Sequence, residues 1–407
     1  MPPVGGRNEV EMNRILIVDD ETQILKVMKR LFSETSYEIF TAKDGKDALK
    51  LLEETEVDLI ISDMKMPLTD GYRLLSMVKE KYPAMIRISL SGYAEGTSMY
   101  KASLHNISDF NIFKPWNNEK LLQDINRIFA THSVLNSKAL ETFINDTPIL
   151  EEMPENCKRL LSFIENEDEE ALISGIEQDP VISKLLMQVA NWAIYGAMPG
   201  SIKQAAIYIG MHNLKCFLHW AAIVMKAGHA DQTNKGDNIT ELLWKHAYST
   251  NKILLFLYEA FLHKQPPEAS LFTGLLHNIG LVVLLQHNQK MYDDFLHSPA
   301  NVTQNLLSFE EEKFGVNHQE VGAYLLNRKD LPFPIVEAAL YHHNPLDSVI
   351  INKELVICVH IAEYYAWEFI LGKNYSELKE EAFEQIKVSR EDFETRLERF
   401  KKKILFV

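Results

Sequence analysis

"RILIVDD", residues 14–20, decides how the first part of this chain folds. Its apolar run has the length and make-up of a strand buried on both faces, and it ends on two carboxylates, Asp19 and Asp20. The next stretch, "ETQILKVMKRLF" (21–32), changes period. Ile24, Leu25, Met28, Leu31 and Phe32 recur at steps of three and four, which predicts an amphipathic helix. The alternation then repeats. "YEIFTA" (37–42) leads into "GKDALKLLEE", and "VDLIIS" (57–62) leads into "GYRLLSMVKEK". A strand centred on 87–91 leads into a weaker helix near 96–105, and "FNIF" (110–113) into a helix from Asn117. Five strands alternating with five helices predict parallel βαβ units and a doubly wound α/β sheet.

Ligands of such sheets bind beyond the carboxyl ends of the strands. The polar residues fall there: Asp19 and Asp20 after the first strand, Asp63 after the third, Ser91 ending the fourth and Lys114 after the fifth. Three carboxylates on one rim repel each other without a cation, and an oxygen set of this kind suits Mg2+. A hydroxyl and a lysine beside them suit the oxygens of a phosphoryl group. The pattern therefore predicts an aspartate that accepts phosphate. A merely solvated acidic rim is the plainer alternative, and the placement of these residues at the ends of four separate strands disfavours it.

"ILIVDD", "DMKMPLTDG", "SLSGY" and "FKPW" together resemble the receiver domain of two-component response regulators, over residues 13–130. The resemblance implies that Asp63 is the phospho-acceptor. It implies that Asp19, Asp20, Asp63 and the backbone carbonyl of Lys65 hold Mg2+, that Ser91 follows the phosphate and that Lys114 pairs with it. It also implies a cis bond before Pro115 and a histidine kinase as phosphodonor. One position departs from the pattern. Receivers usually carry an aromatic switch residue three before the lysine, and here that position is Asn111, flanked by Phe110 and Phe113.

Residues 131–145 read as a helical connector, either continuous with the helix from 117 or broken near Thr131–Ser133. Beyond it strand signal is weak and helical periodicity strong. Asp179 and Pro180 make a helix start, an N-cap followed by proline in the first turn. His246, His277, His318, His342, His343 and His360 lie in or near amphipathic segments. A single histidine on such a face is ordinarily a packed core residue. The series "WKHA", "LLHNIG", "HQEVGAYLL", "ALYHHNP" and "VHIAEYY" nevertheless follows the order of the HD superfamily of metal-dependent phosphohydrolases, and so resembles it. That resemblance places the superfamily's metal positions on His246, His277, Asn278 and Glu363. Asn278 stands where a carboxylate is expected. A neutral amide is a weak ligand and cannot bridge metals, so these positions read as degenerate, with no metal expected among them. Upstream, "EQDPVISKLLMQVANWAIYG…SIKQAAIYIGMHNLKCFL" resembles the first half of the HDOD (HD-related output) domain, which implies an all-α domain over 146–370. Residues 371–407 form a charged helical tail. Its apolar stripe favours packing on that domain over a free partner-binding helix.

Bulk properties set bounds. The chain has 407 residues and a formal net charge of −15, which argues against nucleic acid and anionic membrane surfaces. Its 3 cysteines form no CxxC pair, and no signal peptide or transmembrane run is visible, so a reducing cytoplasm is expected. The expected function is phosphorylation-controlled signalling. In that reading a catalytically degenerate HDOD domain serves as a protein-interaction output for an unidentified partner, and a homodimer is left open. The alternative is an HD-type phosphohydrolase, acting on a nucleotide or cyclic dinucleotide under receiver control.

Overall fold

A computed structural model describes residues 13–67, 69–92, 106–145, 147, 153–193, 199–229, 239–267, 270–288, 290–292, 295, 306–372, 374 and 377–405. The chain divides into two compact units, Met1–Asn126 and Arg127–Val407.

In the first unit the order is β1 (Arg14–Val18), α1 (Thr22–Leu31), β2 (Glu38–Ala42), α2 (Gly45–Glu54), β3 (Leu59–Asp63), α3 (Gly71–Lys81), β4 (Ile86–Gly92), β5 (Phe110–Lys114) and the start of α4 (Asn118–Leu135). The strands form one parallel sheet in the order β2-β1-β3-β4-β5. This is the doubly wound sheet that the alternating periodicity predicts. The weaker helix expected near 96–105 lies outside the described residues. Side chains of β1 and β3 pack with α2 and α3 through Leu16, Val18, Ile60, Leu52, Leu74 and Val78. Aspartates start the two helices: Asp44 accepts from the Asp47 N–H and Asp70 from the Arg73 N–H. A Cβ on Gly71 would lie 2.1 Å from the backbone oxygen of Asp63, so glycine is what lets α3 begin against the end of β3.

In the second unit every described element is helical. Helix α4 crosses the boundary between the units and runs on to Leu135; α5 follows (Lys138–Asn145). The connector is therefore broken, but at Asn136–Ser137, later than Thr131–Ser133. The cause is local: the Ser137 hydroxyl takes the Leu140 N–H at 3.4 Å and starts a new helix. Then come α6 (Glu155–Glu165), α7 (Glu169–Glu177), α8 (Pro180–Ala193), α9 (Ile202–Ile209) and α10 (Met211–His229). Asp179 caps α8 as expected, accepting from the N–H groups of Val181 and Ile182 at 3.0 and 2.9 Å. The remainder is α11 (Ile239–Leu257), α12 (Thr273–Leu276), α13 (Ile279–His287), α14 (Leu306–Phe314), α15 (His318–Arg328), α16 (Phe333–Tyr341), α17 (Lys353–Leu371), α18 (Glu380–Gln385) and α19 (Arg390–Leu405).

Two apolar clusters hold this unit together. In one, α11 packs on α17 through Leu254, Leu257, Val359 and Ala362, and Phe383, Phe393 and Leu397 of the tail join the same cluster. The tail is thus packed core. In the other, Leu140 of α5 packs with Leu281 and Leu284 of α13 and Val321 of α15. Helices α13 and α15 touch backbone to backbone: a Cβ on Gly280 would lie 2.0 Å from the His318 carbonyl oxygen and 2.5 Å from the Gly322 nitrogen.

Candidate functional site

The carboxyl edge of the sheet gathers the polar residues singled out in the sequence. Asp19 follows β1 and is fully buried, and its Oδ1 accepts from the Glu21 N–H at 2.8 Å. Asp63 is the last residue of β3 and is buried, while Asp20 is exposed. One carboxylate oxygen from each of the three lies within 4.8 Å of the others. Lys114, the last residue of β5, reaches between two of them, with Nζ 3.0 Å from Asp19 Oδ2 and 3.1 Å from Asp63 Oδ1. The peptide bond from Lys114 to Pro115 is cis. Burial pushes the Asp63 carboxyl up, and the Lys114 charge works against that. Burial disfavours the Lys114 ammonium, but Asp19 and Asp63 outweigh it and raise its pKa. Ser91 is buried in β4, whose next residue, Gly92, is in register with Lys114. Lys65 has an exposed side chain, and its backbone N–H bonds the Asp63 carboxylate. Asn111 turns towards β4. Its Oδ1 accepts from the hydroxyls of Ser89 at 2.5 Å and Ser108 at 2.8 Å.

The second unit gathers more than the sequence did. His246 on α11, His277 between α12 and α13, and Glu363 on α17 offer ligand atoms within 4.8 Å of one another, all buried. Asn278 joins them, its amide N–H donating to Glu363 Oε1 at 3.3 Å. Burial raises the Glu363 carboxyl to about 7, with His318, Asn278 and Trp367 pulling against it. Beside this set lies a second one that sequence reasoning did not assign: His318, at the start of α15, with His342 and His343, just past α16. His318 Nε2 is 3.3 Å from His342 Nε2 and 3.1 Å from His343 Nε2. Glu363 stands between the sets, 3.8 Å from His342 Nε2 and 3.7 Å from His343 Nε2.

The outer nitrogens of His277, His318 and His342 are tied down. His277 Nδ1 donates to the Gly274 carbonyl at 2.9 Å and His342 Nδ1 to the Ala339 carbonyl at 2.9 Å. His318 Nδ1 donates at 2.7 Å to Glu310, a buried carboxylate that Tyr292 also holds. Burial pushes the pKa of His246, His277, His342 and His343 down, and neighbouring histidines add to the effect at all four. His318 is the exception: burial disfavours its charge, but Glu310 outweighs burial and raises its pKa. His360 belongs to the packing. Its Nδ1 donates to the His342 carbonyl at 2.7 Å and its Nε2 accepts from the Lys379 N–H at 3.1 Å. The "HH" pair and the histidine of "NHQE" were the available signals for the second set. Only the fold shows that they point at Glu363.

Comparison with known proteins assigns both units. A response regulator receiver domain family matches residues 15–126 and an HDOD domain family matches residues 150–345. Among curated proteins, the two-component response regulator ORR24 of Oryza sativa is 35% identical over 120 residues, 29% of this chain and 19% of that protein. The transcriptional regulatory protein GlrR of Escherichia coli is 25% identical over 162 residues, 40% of this chain and 35% of that protein. The chain thus spans about a fifth to a third of the length of these relatives. Of solved structures, the signal receiver domain of an HD domain-containing protein from Pseudomonas fluorescens is 32% identical, with a TM-score of 0.30, over 30% of this chain and 98% of that one. Response regulator TrrA from Thermotoga maritima, in complex with Mg2+–BeF, is 31% identical, with a TM-score of 0.26, over 28% of this chain and 97% of that one.

Proposed function

The chain carries a response regulator receiver domain followed by an HDOD domain, and from that premise we propose that it is a phosphorylation-controlled signalling protein whose phospho-acceptor is Asp63. The observation that carries this is the rim: three carboxylates within 4.8 Å of one another, with the Lys114 ammonium 3.1 Å from Asp63. The hard oxygen donors fit Mg2+, which Asp19, Asp20, Asp63 and the Lys65 carbonyl would hold. When bound, the ion neutralises carboxylate charge and the charge on the transferring group. An Asp63 oxygen attacks the phosphorus of a phosphohistidine on a histidine kinase. The P–O bond forms as the P–N bond breaks, and the freed imidazole takes a proton. Lys114 then pairs with the phosphoryl oxygens, and the Ser91 hydroxyl donates to one of them.

The output in this reading is the HDOD unit, acting through contacts with a protein partner. A phosphohydrolase reading gains support from the gathering of His246, His277 and Glu363. Burial of all three weighs against it, because a substrate must reach such a centre. Labelling separates right from wrong at the first step. Acetyl phosphate should label the full chain in a Mg2+-dependent way, and Asp63→Asn should take no label, since an amide is not a nucleophile of this kind. Equal labelling of Asp63→Asn would overturn the assignment. Turnover of any phosphodiester by the purified chain would move the second unit to the hydrolase reading.

A further inference from the structure

We propose that the second unit carries a binding site for a phosphate group where the end of α15 meets α10, built from Lys215, His219 and Lys226 of α10, Arg328 and Lys329 at the end of α15, and Lys158 of α6. This goes beyond the signalling reading and does not depend on it.

Lys215, His219 and Lys226 fall at i, i+4 and i+11 of α10, so they share one side of that helix. Two contacts bring other segments to it. Lys215, with 12% of its side chain exposed, donates to Asp330 Oδ2 at 3.1 Å, which holds the turn after α15 against α10. Helix α6, which carries Lys158, packs on α10. Cations thus gather from three segments of a chain whose formal net charge is −15.

Two of these groups lack what their surroundings call for. Lys329 is half-buried, and every charge that acts on it is positive: burial first, then Lys226, Arg328 and Lys158, push its pKa down. The carboxylates paired nearby are Asp330, on Lys215, and Glu155, on Lys158 at 3.1 Å, and neither answers Lys329. His219 is 7% exposed, and its Nδ1 has no hydrogen-bond partner among the described residues, although buried polar atoms are ordinarily paired. Burial and the charges of Lys215 and Lys329 push its pKa down to about 3, with Asp330 working against them. The ring is therefore neutral, has one N–H to give, and lies within reach of both ammonium charges. A phosphate group meets both needs. Its charge offsets the repulsion around Lys329, its oxygens accept from lysine ammoniums, and one of them takes the imidazole N–H. The competing arrangement is a solvated set of cations at the C-terminal end of α15, where the helix dipole favours them. It predicts no preference for phosphate over chloride.

The test is calorimetric titration of the full chain in chelator, without Mg2+, at constant ionic strength set with chloride. The probes are inorganic phosphate and adenosine 5′-monophosphate. The proposal expects saturable binding at a single site. Binding should weaken about tenfold or more in Lys329→Gln, because a charge-assisted hydrogen bond is lost. It should stay unchanged in Lys203→Gln, which removes the same charge from an exposed position on α9. Binding of either probe that is lost with Lys329 supports the site, and the tighter probe tells a free phosphate from a phosphomonoester. Ligand-free Lys329→Gln should also melt at or above the temperature of the parent, because it relieves like-charge repulsion. No saturable binding of either probe, or equal weakening in Lys203→Gln, overturns the proposal. A lower melting temperature of ligand-free Lys329→Gln overturns it as well, since the ammonium would then already have a favourable partner.

Discussion

At the residue scale, Asn111 departs from the receiver pattern, which has an aromatic side chain there. In receivers an aromatic ring at this position moves when the hydroxyl near the phosphate moves. Here the Asn111 oxygen is held by two hydroxyls, Ser89 and Ser108. A side chain fixed by two hydrogen bonds has little reason to swing outward. Lys114 itself sets the charge balance of the rim. Asp19 is fully buried and Asp63 nearly so, and both depend on this ammonium. Removing it as Lys114→Ala leaves two carboxylates facing each other. With Mg2+ chelated, stability should fall by about 2 kcal/mol, below the range for a fully buried pair because the lysine is partly exposed. Millimolar Mg2+ should restore most of the loss. Thermal melts with chelator and with Mg2+ measure both, and a variant that melts like the parent in chelator would contradict the charge argument.

At the scale of elements, the decisive contact is Gly280 against α15. A methyl group there would meet the His318 carbonyl at 2.0 Å and the Gly322 nitrogen at 2.5 Å. Both are backbone atoms of another helix, so α13 and α15 would have to separate, at a cost of about 3 kcal/mol. Gly280→Ala should therefore lower the denaturation midpoint strongly. Gly200→Ala, which meets only the flexible Gln204 side chain at 3.5 Å, should leave it unchanged. Equal midpoints for the two variants would show that the helices are not packed this closely. The connector is built in the same way. Leu140 is fully buried against α13 and α15, so Leu140→Ala should cost about 2–5 kcal/mol. A loss under half a kilocalorie would mean that α5 does not belong to this core.

At the scale of the whole molecule, α4 is one continuous helix with its first residues in one unit and the rest in the other. Its second half is tied to the histidine cluster: Thr131 is buried, and its hydroxyl lies 3.3 Å from that of Tyr341, the residue before His342. A shift of α4 on phosphorylation would reach α16 and the ring pair behind it. Beryllofluoride should then change hydrogen exchange in residues 127–145 and 333–343, with a coupling of about 1–2 kcal/mol, the lower end of the usual range. Changes confined to 13–116 would show that α4 does not transmit. The tail contributes at this scale too, since Phe393 and Leu397 complete the cluster between α11 and α17.

The sequence by itself determined the sheet and its rim. Strand–helix alternation is a local signal, and residues at strand ends must share one edge once the strands are parallel. That is why Asp19, Asp63 and Lys114 could be brought together before any coordinates. It determined less in the second unit, where period alone marks a helix but not its neighbour. It singled out His246, His277 and Glu363, but left His318 and the His342–His343 pair as separate histidines on separate helices. Their meeting depends on close backbone contact at Gly280 and on the bond from His360 to the His342 carbonyl. Both are long-range contacts, set by which helix faces pack together, and no spacing within a single helix encodes them.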